Sequence, residues 1–427
     1  AQLKKGNAMH KNRGAEGVGH FLPSSASEKY RDLMVKQLTA LRRHIERQPY
    51  ASAVVGYRVV WGYDGQWGPL REAYGYDSDG KHVLDFSNPM QRRFRSFLKK
   101  KYINVEQLQQ AWHDRAVTFE NAAIPGAERR DFDQMAGKDY LLDPQRDQPI
   151  IDYRECEGET TGELLLAFCR AIKTADPRPV MTMAYYPDIV ETAAGGPSGR
   201  RGQKVVNASS DFDAAGGPSY DSREIGQSGR TNCLLNSLTL HDKIHLNELD
   251  HRIFTVVRRN YAGNQLFDTP FKTVSLLQRE YMRQMCFGTG SWLFDMGLGW
   301  YDDPLAAAII GQAHRIFTKV LEYDRGSIAQ MAIFVGEYGK LVQADARRGA
   351  IPQKLVTTAV VASSQAGLPI DQYRLDDLDQ VAERYNVFVF PFAYGLAPGG
   401  VRMINRLKKS GNVLVFGAVL RQSIRPP

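Results

Sequence analysis

Short runs of β-branched and aromatic residues, each closing on a glycine-rich or polar loop, alternate with longer amphipathic stretches from Val54 onward. Strands spaced that far apart do not pair as hairpins. They need helical crossovers, and crossovers build parallel sheets. Five runs carry the pattern: Val54–Trp61, Pro179–Asp188, Ser209–Gly226, Lys243–Arg252 and Gly288–Pro304. The stretches between them read as helices. Serines just before Glu28 can cap one that runs to Arg47, Ser87 caps another with Pro89 in its first turn, and a third begins near Pro304. In a parallel barrel, catalytic groups collect at the C-terminal ends of the strands, so chemistry is expected in the loops after these runs.

At 427 residues the chain is too long for one ordinary core and suits two domains, or a large barrel with an appendage. A 43 % hydrophobic and 10 % aromatic composition is that of a globular protein. No apolar run approaches the ~20 residues of a bilayer span, which excludes an integral membrane protein and makes a membrane partner unexpected. The opening, AQLKKGNAMHKN, has neither an initiator Met nor an apolar signal core, so it is expected to follow a processing site or further sequence. Periplasmic or secreted and cytoplasmic locations both stay open. Cys156, Cys169, Cys233 and Cys286 lie far apart without a C-x-x-C pair, which argues against a zinc site and a disulfide framework, and they read as reduced and structural. The net charge of +8 comes from scattered basic runs such as QRRFRSFLKKK, which solvated helix faces explain. No nucleic-acid motif accompanies them, so nucleic acid is not an expected partner, whereas an acidic or sulfated polysaccharide is compatible.

Two loops concentrate polar and aromatic groups. In HLNELDHR, Glu248 ends an apolar run beside Asn247, Asp250 and Arg252. A carboxylate among hydrogen-bond donors stays ionised at neutral pH, as a nucleophile must, although an ordinary ion pair with Arg252 accounts for the same spacing. In GSWLFDMGLGWYDDP, Trp292, Phe294, Trp300 and Tyr301 gather at one strand end, and the glycine spacing predicts that Trp300 and Tyr301 are incompletely buried. Aromatic faces of this kind stack on sugar rings, and Asp295 can accept from hydroxyls. Core packing is the alternative.

The series GYRVVWGYDGQWG, SYDSREIG, HLNELDHR and FGTGSWLFDMGLGWYDDP resembles glycoside hydrolase family 42 and its close relatives, the clan A retaining β-galactosidases. The segment Asp85 to Pro125, a helix followed by an L-x-x-A-W element and a proline exit, carries the resemblance most specifically. The segments GSIAQMAIFVGEYG and YNVFVFPFAYGLAPGGVRMINRLKKSGNVLVFG resemble the flavodoxin-like domain that follows the barrel in that family. The resemblance implies a (β/α)8 barrel over residues 1–325, with its N-terminal strands apparently absent from this sequence, followed by a flavodoxin-like α/β domain over 326–427. The second domain would serve oligomerisation, as a trimer or dimer. Its expected strands are Ala332–Val335, Val387–Phe390 and Asn412–Phe416. It has neither a P-loop nor G-x-G-x-x-G, and no cysteine follows Cys286 to act as an amidotransferase nucleophile.

Carried over by position, the resemblance makes Glu248 the nucleophile and puts Gln66 where the general acid/base glutamate belongs. Retaining hydrolysis needs two carboxyl groups about 5–5.5 Å apart, one to attack and one to protonate the leaving oxygen. An amide cannot do the second job. Three readings of Gln66 compete: an engineered Glu-to-Gln change, a natural loss of catalysis that leaves a sugar-binding relic, or an acid elsewhere, at Asp64 or, less directly, Glu72. Tyr220 and Arg223 are expected beside the nucleophile, Trp292, Asp295 and Trp300 at the sugar subsite, and Tyr185 or Tyr186 at a further edge. The implied activity is cleavage of terminal β-galactosides in an oligo- or polysaccharide, with no cofactor and no metal. Residues before Val54 are read as loop plus one long helix, so the strands that would precede the fourth are expected to be missing.

Overall fold

The computed structural model describes residues 9–13, 19–62, 65–67, 85–126, 142–186, 202–218, 226, 228–229, 233–251, 253–256, 267–295, 299–324, 326–342, 351–393 and 398–417. The N-terminal part holds an antiparallel pair, β1 (Met9–Arg13) with β2 (Gly19–Pro23), followed by helix α1 (Glu28–Glu46). The pair corrects the expectation of loop plus helix. Ser27 caps α1 by accepting from the Tyr30 N–H.

Five strands then lie side by side in chain order, all parallel: β3 (Gly56–Arg58), β4 (Met181–Ala184), β5 (Ala214–Pro218), β6 (Ile244–Leu249) and β7 (Gly290–Leu293). Each falls inside one of the five runs read from the sequence. Helices α2 (Asn88–Lys101), α3 (Val105–Trp112) and α4 (Pro144–Thr174) join β3 to β4. Shorter crossovers follow, α5 (Gln203–Asn207) and α6 (Leu235–Leu240), then α7 (Pro270–Phe287), with α8 (Pro304–Val320) after β7. This is a partial (β/α)8 barrel.

Local signals set the helix ends. Ser87 accepts from Met90 N–H to start α2, Thr269 from Lys272 N–H to start α7, and Asp303 from Leu305 and Ala306 N–H to start α8, each with proline in the first turn. Along α2, Met90, Phe94, Phe97 and Leu98 form one buried stripe, and it packs with Leu108 of α3 and Tyr153 of α4. Full burial of each large apolar side chain stabilises the fold by roughly 1.5–3 kcal/mol. The same helices meet at Asp152, a buried carboxylate that accepts from Lys101 Nζ at 2.9 Å, Tyr102 Oη at 2.9 Å, Trp112 Nε1 at 2.7 Å and Gln148 Nε2 at 2.8 Å. Trp112 is the tryptophan of the L-x-x-A-W element. That element therefore builds the scaffold behind the barrel.

The C-terminal part is a second parallel sheet of four strands, β8 (Met331–Val335), β9 (Ile370–Arg374), β10 (Val387–Phe390) and β11 (Val413–Phe416). Their spatial order is β9-β8-β10-β11, the 2-1-3-4 order of a doubly wound sheet. Its helices are α9 (Tyr338–Leu341), α10 (Ile351–Gln365), α11 (Leu378–Val381) and α12 (Pro398–Lys409). One face buries Ile333 and Val335 against Val356 and Val360 of α10, and the other buries Ala332, Phe334 and Phe388 against α11 and α12. The three strands expected here are present. β9 is an addition, because IDQYR is too polar to announce itself.

The sheets are tied together. Leu142, Ile150 and Ile151 of the barrel part share a core with Ile333, Val335 and Phe392. Arg154 Nη1 donates to Leu341 O at 2.6 Å, and Asp377 accepts from Ser237 Oγ at 2.6 Å and pairs with His241 Nε2 at 2.8 Å.

Candidate active site

The two faces of the five-stranded sheet follow from pleat parity, since alternate side chains point to opposite sides. Val59, Ala184, Ala215 and Leu249 pack against helices, so their face is the outer one. The intervening positions point inward. Register makes Arg58 a partner of Met183, and Glu248 a partner of both Pro218 and Trp292. The inner face therefore carries Arg58, Met183, Gly216, Leu246, Glu248 and Trp292, with Tyr185 one step past the end of β4.

Glu248 sits on β6, hydrogen-bonded on both sides, and is 5 % exposed. Beneath it lies Gly216, where a Cβ would stand 2.2 Å from the flexible end of Met183, 3.2 Å from Leu246 O and 3.5 Å from Trp292 Cη2. The edge of the Trp292 ring passes over this glycine on the inner face. Tyr185 stacks on Trp292 with centroids 5.8 Å apart and planes 26° apart, and the Arg58 guanidinium lies 3.6 Å from the Tyr185 centroid. Tyr186, by contrast, is buried in the outer core.

Gln66 stands in the loop after β3. The loop closes through Trp67 N–H donating to Trp61 O at 2.8 Å, and the fully buried Trp67 indole donates to Val59 O at 3.0 Å. Gly62 and Gly65 take left-handed φ of 80° and 68°, and Trp67 itself takes 61°. That conformation costs a non-glycine residue roughly 1–2 kcal/mol, and the Trp67 anchor against Trp61, Phe168 and Tyr186 holds it. The outcome is a half-buried Gln66 presented at the loop tip between a glycine and an immobile tryptophan. A Cβ at Gly65 would lie 3.6 Å from Arg58 Nη2, so the same loop crosses the Arg58 end of the aromatic row.

The loop after β7 is corrected in part. Trp300 is wholly buried, edge-on to Phe294, so it offers no face to a sugar. Asp295 is exposed, and its Oδ2 accepts from Trp300 N–H at 3.0 Å. The Tyr301 hydroxyl is 2.7 Å from Leu249 O and 3.2 Å from His251 O. These residues brace the end of β6 right beside Glu248. Packing explains the difference: Gly299 takes a left-handed φ of 64°, and Trp300 after it folds inward rather than outward. Tyr220, Arg223, Asp64, Glu72 and Arg252 lie outside the described residues. Sequence reasoning missed Arg58 and Trp67; the signal for the first was an arginine inside an otherwise apolar strand.

Behind β6, on the outer face, lies a charged cluster. Glu280 of α7 is wholly buried and accepts from Arg279 Nη2 at 2.8 Å and Arg283 Nη2 at 2.6 Å. Burial pushes its carboxyl up, but the charges of Arg283, His251 and Arg279 prevail and hold it below the usual range. Burial, helped by Arg283, pushes His245 down to about 3. Burial also pushes the Cys156 and Cys169 thiols up to about 12, as inert core residues, whereas Cys286 is exposed. Among the described residues no group of three or more His, Cys, Asp or Glu is placed to hold a metal ion, and no helix is long and apolar enough to cross a membrane.

A partial (β/α)8 barrel followed by a second parallel α/β sheet is an architecture that solved glycosidases share. The structure is similar to the β-galactosidase from Rahnella sp. R3, with a TM-score of 0.63 and 14 % identity over 97 % of this chain and 58 % of that one. It is also similar to the β-galactosidase of the psychrophilic Marinomonas ef1 (TM-score 0.55, 13 % identity, 96 % of this chain and 62 % of that one). A third likeness is to the GH42 exo-carrageenase from Bacteroides ovatus (TM-score 0.59, 10 % identity, 99 % and 58 %). The chain thus spans about three fifths of the length of these structures, and the likeness is one of fold. No protein-family model and no curated protein matches the sequence.

Proposed function

We propose that this chain is the major part of a retaining glycoside hydrolase of the family 42 type, acting on terminal β-galactosides, with Glu248 as nucleophile and Gln66 at the acid/base position. One observation carries the reading: Glu248 lies next to the end of an interior parallel strand, on the same inward face as Tyr185 and Trp292, and the loop after β3 of the same sheet holds Gln66. Strands β3 and β6 are three spacings apart, about 14 Å along the sheet, so the reading requires the curl of the sheet to bring Gln66 within reach of Glu248. Trp292, half-buried, would supply the face for the sugar ring. The Glu248 carboxylate would attack the anomeric carbon and expel the leaving oxygen, which with Gln66 in place must depart without a proton from that residue. The second sheet, 326–427, is read as a flavodoxin-like domain that assembles copies of the chain.

The test is hydrolysis of an aryl β-D-galactoside with an acidic phenol, with and without azide. Such a phenol leaves as its anion, so Glu248 can still be glycosylated, and azide then attacks that intermediate without needing a base. Acceleration by azide, with β-galactosyl azide as product, is expected. Fast turnover that azide does not alter places the acid elsewhere, Asp64 first. No turnover in either condition, with sugar binding retained, supports the rival reading of a carbohydrate-binding relic, which the amide at position 66 favours.

A further inference from the structure

Helix α6 (Leu235–Leu240) leads directly into the strand that holds Glu248. Resting on the glycosidase reading above, we propose that Asp377 of the second α/β part is a positioning residue for the nucleophile: through α6 it fixes where β6, and with it Glu248, stands. Leu235 and Leu238 belong to the core of the barrel part, Leu234 to the core shared by the two sheets, and Leu240 packs against the core of the second sheet. Apolar contact is non-directional, so it alone leaves such a short helix free to slide or turn. Polar contacts remove that freedom. β9 is an outermost strand of its sheet, and two alternate residues of it, Gln372 and Arg374, donate their N–H groups to Asn236 Oδ1 at 2.8 Å and Ser237 Oγ at 2.7 Å. Asp377 completes the set: one carboxylate oxygen accepts from Ser237 Oγ at 2.6 Å, and the other meets His241 Nε2 at 2.8 Å, about one helical turn further on. The carboxylate is 3 % exposed and Ser237 is wholly buried. Burying a carboxylate costs solvation, and the best-attested role of such groups is to set register, which apolar packing leaves loose. The link from α6 to the nucleophile is short. His241 N–H closes the helix on Ser237 O and Leu238 O, Asp242 turns the chain with a left-handed φ of 57°, and Asp242 and Lys243 N–H return to Thr239 O and Leu238 O. Ile244 then begins β6 with its N–H on Asp213 O at 3.0 Å. Every N–H between helix and strand is taken up, so a shift of α6 passes into β6. Attack on an anomeric carbon tolerates little error, since about 1 Å of misplacement can cost about 10²-fold in rate.

The test is phenol release from an aryl β-D-galactoside with an acidic phenol, in the presence of azide, where attack by Glu248 limits the rate. The whole chain is compared with Asp377→Ala and with Asp377→Asn, which keeps the shape and one acceptor oxygen but not the charge. Asp371→Ala, which removes a buried carboxylate of the same sheet that serves Ser327 and Tyr385 instead, is the control for lost stability. At a temperature where melting curves show each protein folded, kcat is expected to fall by about tenfold or more in Asp377→Ala and by less in Asp377→Asn, with KM within about twofold of wild type. Asp371→Ala should leave both within about twofold. If Asp377→Ala does not fold, Asp377→Asn decides. A kcat that falls no further than in Asp371→Ala overturns the inference and leaves the glycosidase reading standing. A rise in KM with kcat unchanged also overturns it, since uniform binding rather than the attack has then been lost. No phenol release by wild type removes the glycosidase reading and the inference with it.

Discussion

The two parallel sheets obey the same βα alternation but treat the C-terminal ends of their strands in opposite ways. In the four-stranded sheet, the crevice beside β8 and β10 is where doubly wound folds hold ligands. Here Leu142, Ile150, Ile151, Leu341 and Phe392 pack around Ile333 and Val335 next to it, and Leu142 N–H donates to Val342 O at 2.6 Å. Its charged residues serve each other: Arg374 pairs with Glu337 at 2.8 Å and Asp376 at 2.9 Å, and Glu337 also accepts from Gly202 N–H at 2.7 Å. In the five-stranded sheet the strand ends instead hold an exposed arginine, a half-buried glutamine and a carboxylate. The lesson is that alternation dictates the architecture, and the filling of the strand ends decides which sheet can do chemistry.

The largest expected effect tests that division directly. Restoring a titratable acid by Gln66→Glu should raise turnover of unactivated β-galactosides by about 10²–10⁴-fold, with the azide effect lost. Adding Glu248→Gln to that variant should return turnover to background. Steady-state kinetics of both variants check it, and unchanged turnover in Gln66→Glu would place the acid outside this loop. Substitutions at the plugged end of the other sheet, such as Phe392→Leu, should change stability and leave substrate preference alone.

The comparison is sharpened next by two buried carboxylates. Asp152 holds four donors from the scaffold behind the barrel, and the charges of Asp152 and Glu155 overcome the lowering effect of burial to raise the Lys101 pKa. Asp371 in the second sheet accepts from Ser327 Oγ at 2.8 Å and Tyr385 Oη at 2.6 Å. Asp152→Ala takes the acceptor from Tyr102, Trp112 and Gln148 and leaves Lys101 with Glu155 alone, and should cost about 3–5 kcal/mol. Asp371→Ala removes an acceptor from two hydroxyls, one of which keeps Tyr373 Oη, and should cost about 1–3 kcal/mol. Calorimetric unfolding of the two variants side by side checks the order, and equal costs would mean that the extra donors on Asp152 add nothing.

These same contacts explain what could be read from the chain. The five barrel strands were legible because their apolar runs and glycine-rich exits are local. Ser27, Ser87 and the prolines marked the helix starts for the same reason. β9 was not legible, because Asp371 and Arg374 are strand residues only by virtue of partners far along the chain: Ser327 and Tyr385 for the first, Glu337 for the second. Trp300 misled for the converse reason, since its burial depends on a loop path that spacing does not specify. At the site, Glu248 and Trp292 were visible as residue types at a strand end. The Arg58–Tyr185 contact joins strands separated by more than a hundred residues, and only register brings them together.

The smallest expected effect is a slope. His245 faces Arg283 within the cluster of Glu280, Arg279 and His251, and burial and the Arg283 charge push it down to about 3 from an ordinary 6.5. The unfolded chain takes up this proton near pH 6.5, the folded chain only near pH 3. Stability from this group is therefore complete above about pH 6.5 and falls with pH below it, at about 1.4 kcal/mol per unit. Glu280, held below the usual carboxylate range, adds its own loss only at lower pH. Between pH 6.5 and 5 the two are separable, and there His245→Phe should flatten the pH dependence of the urea midpoint relative to wild type. The slope is the readout, so a uniform shift in stability from repacking does not obscure it. Parallel slopes would mean that the folded chain accepts the proton at His245, and that the charged layer behind Glu248 is open to water rather than sealed as the plugged end of the second sheet is.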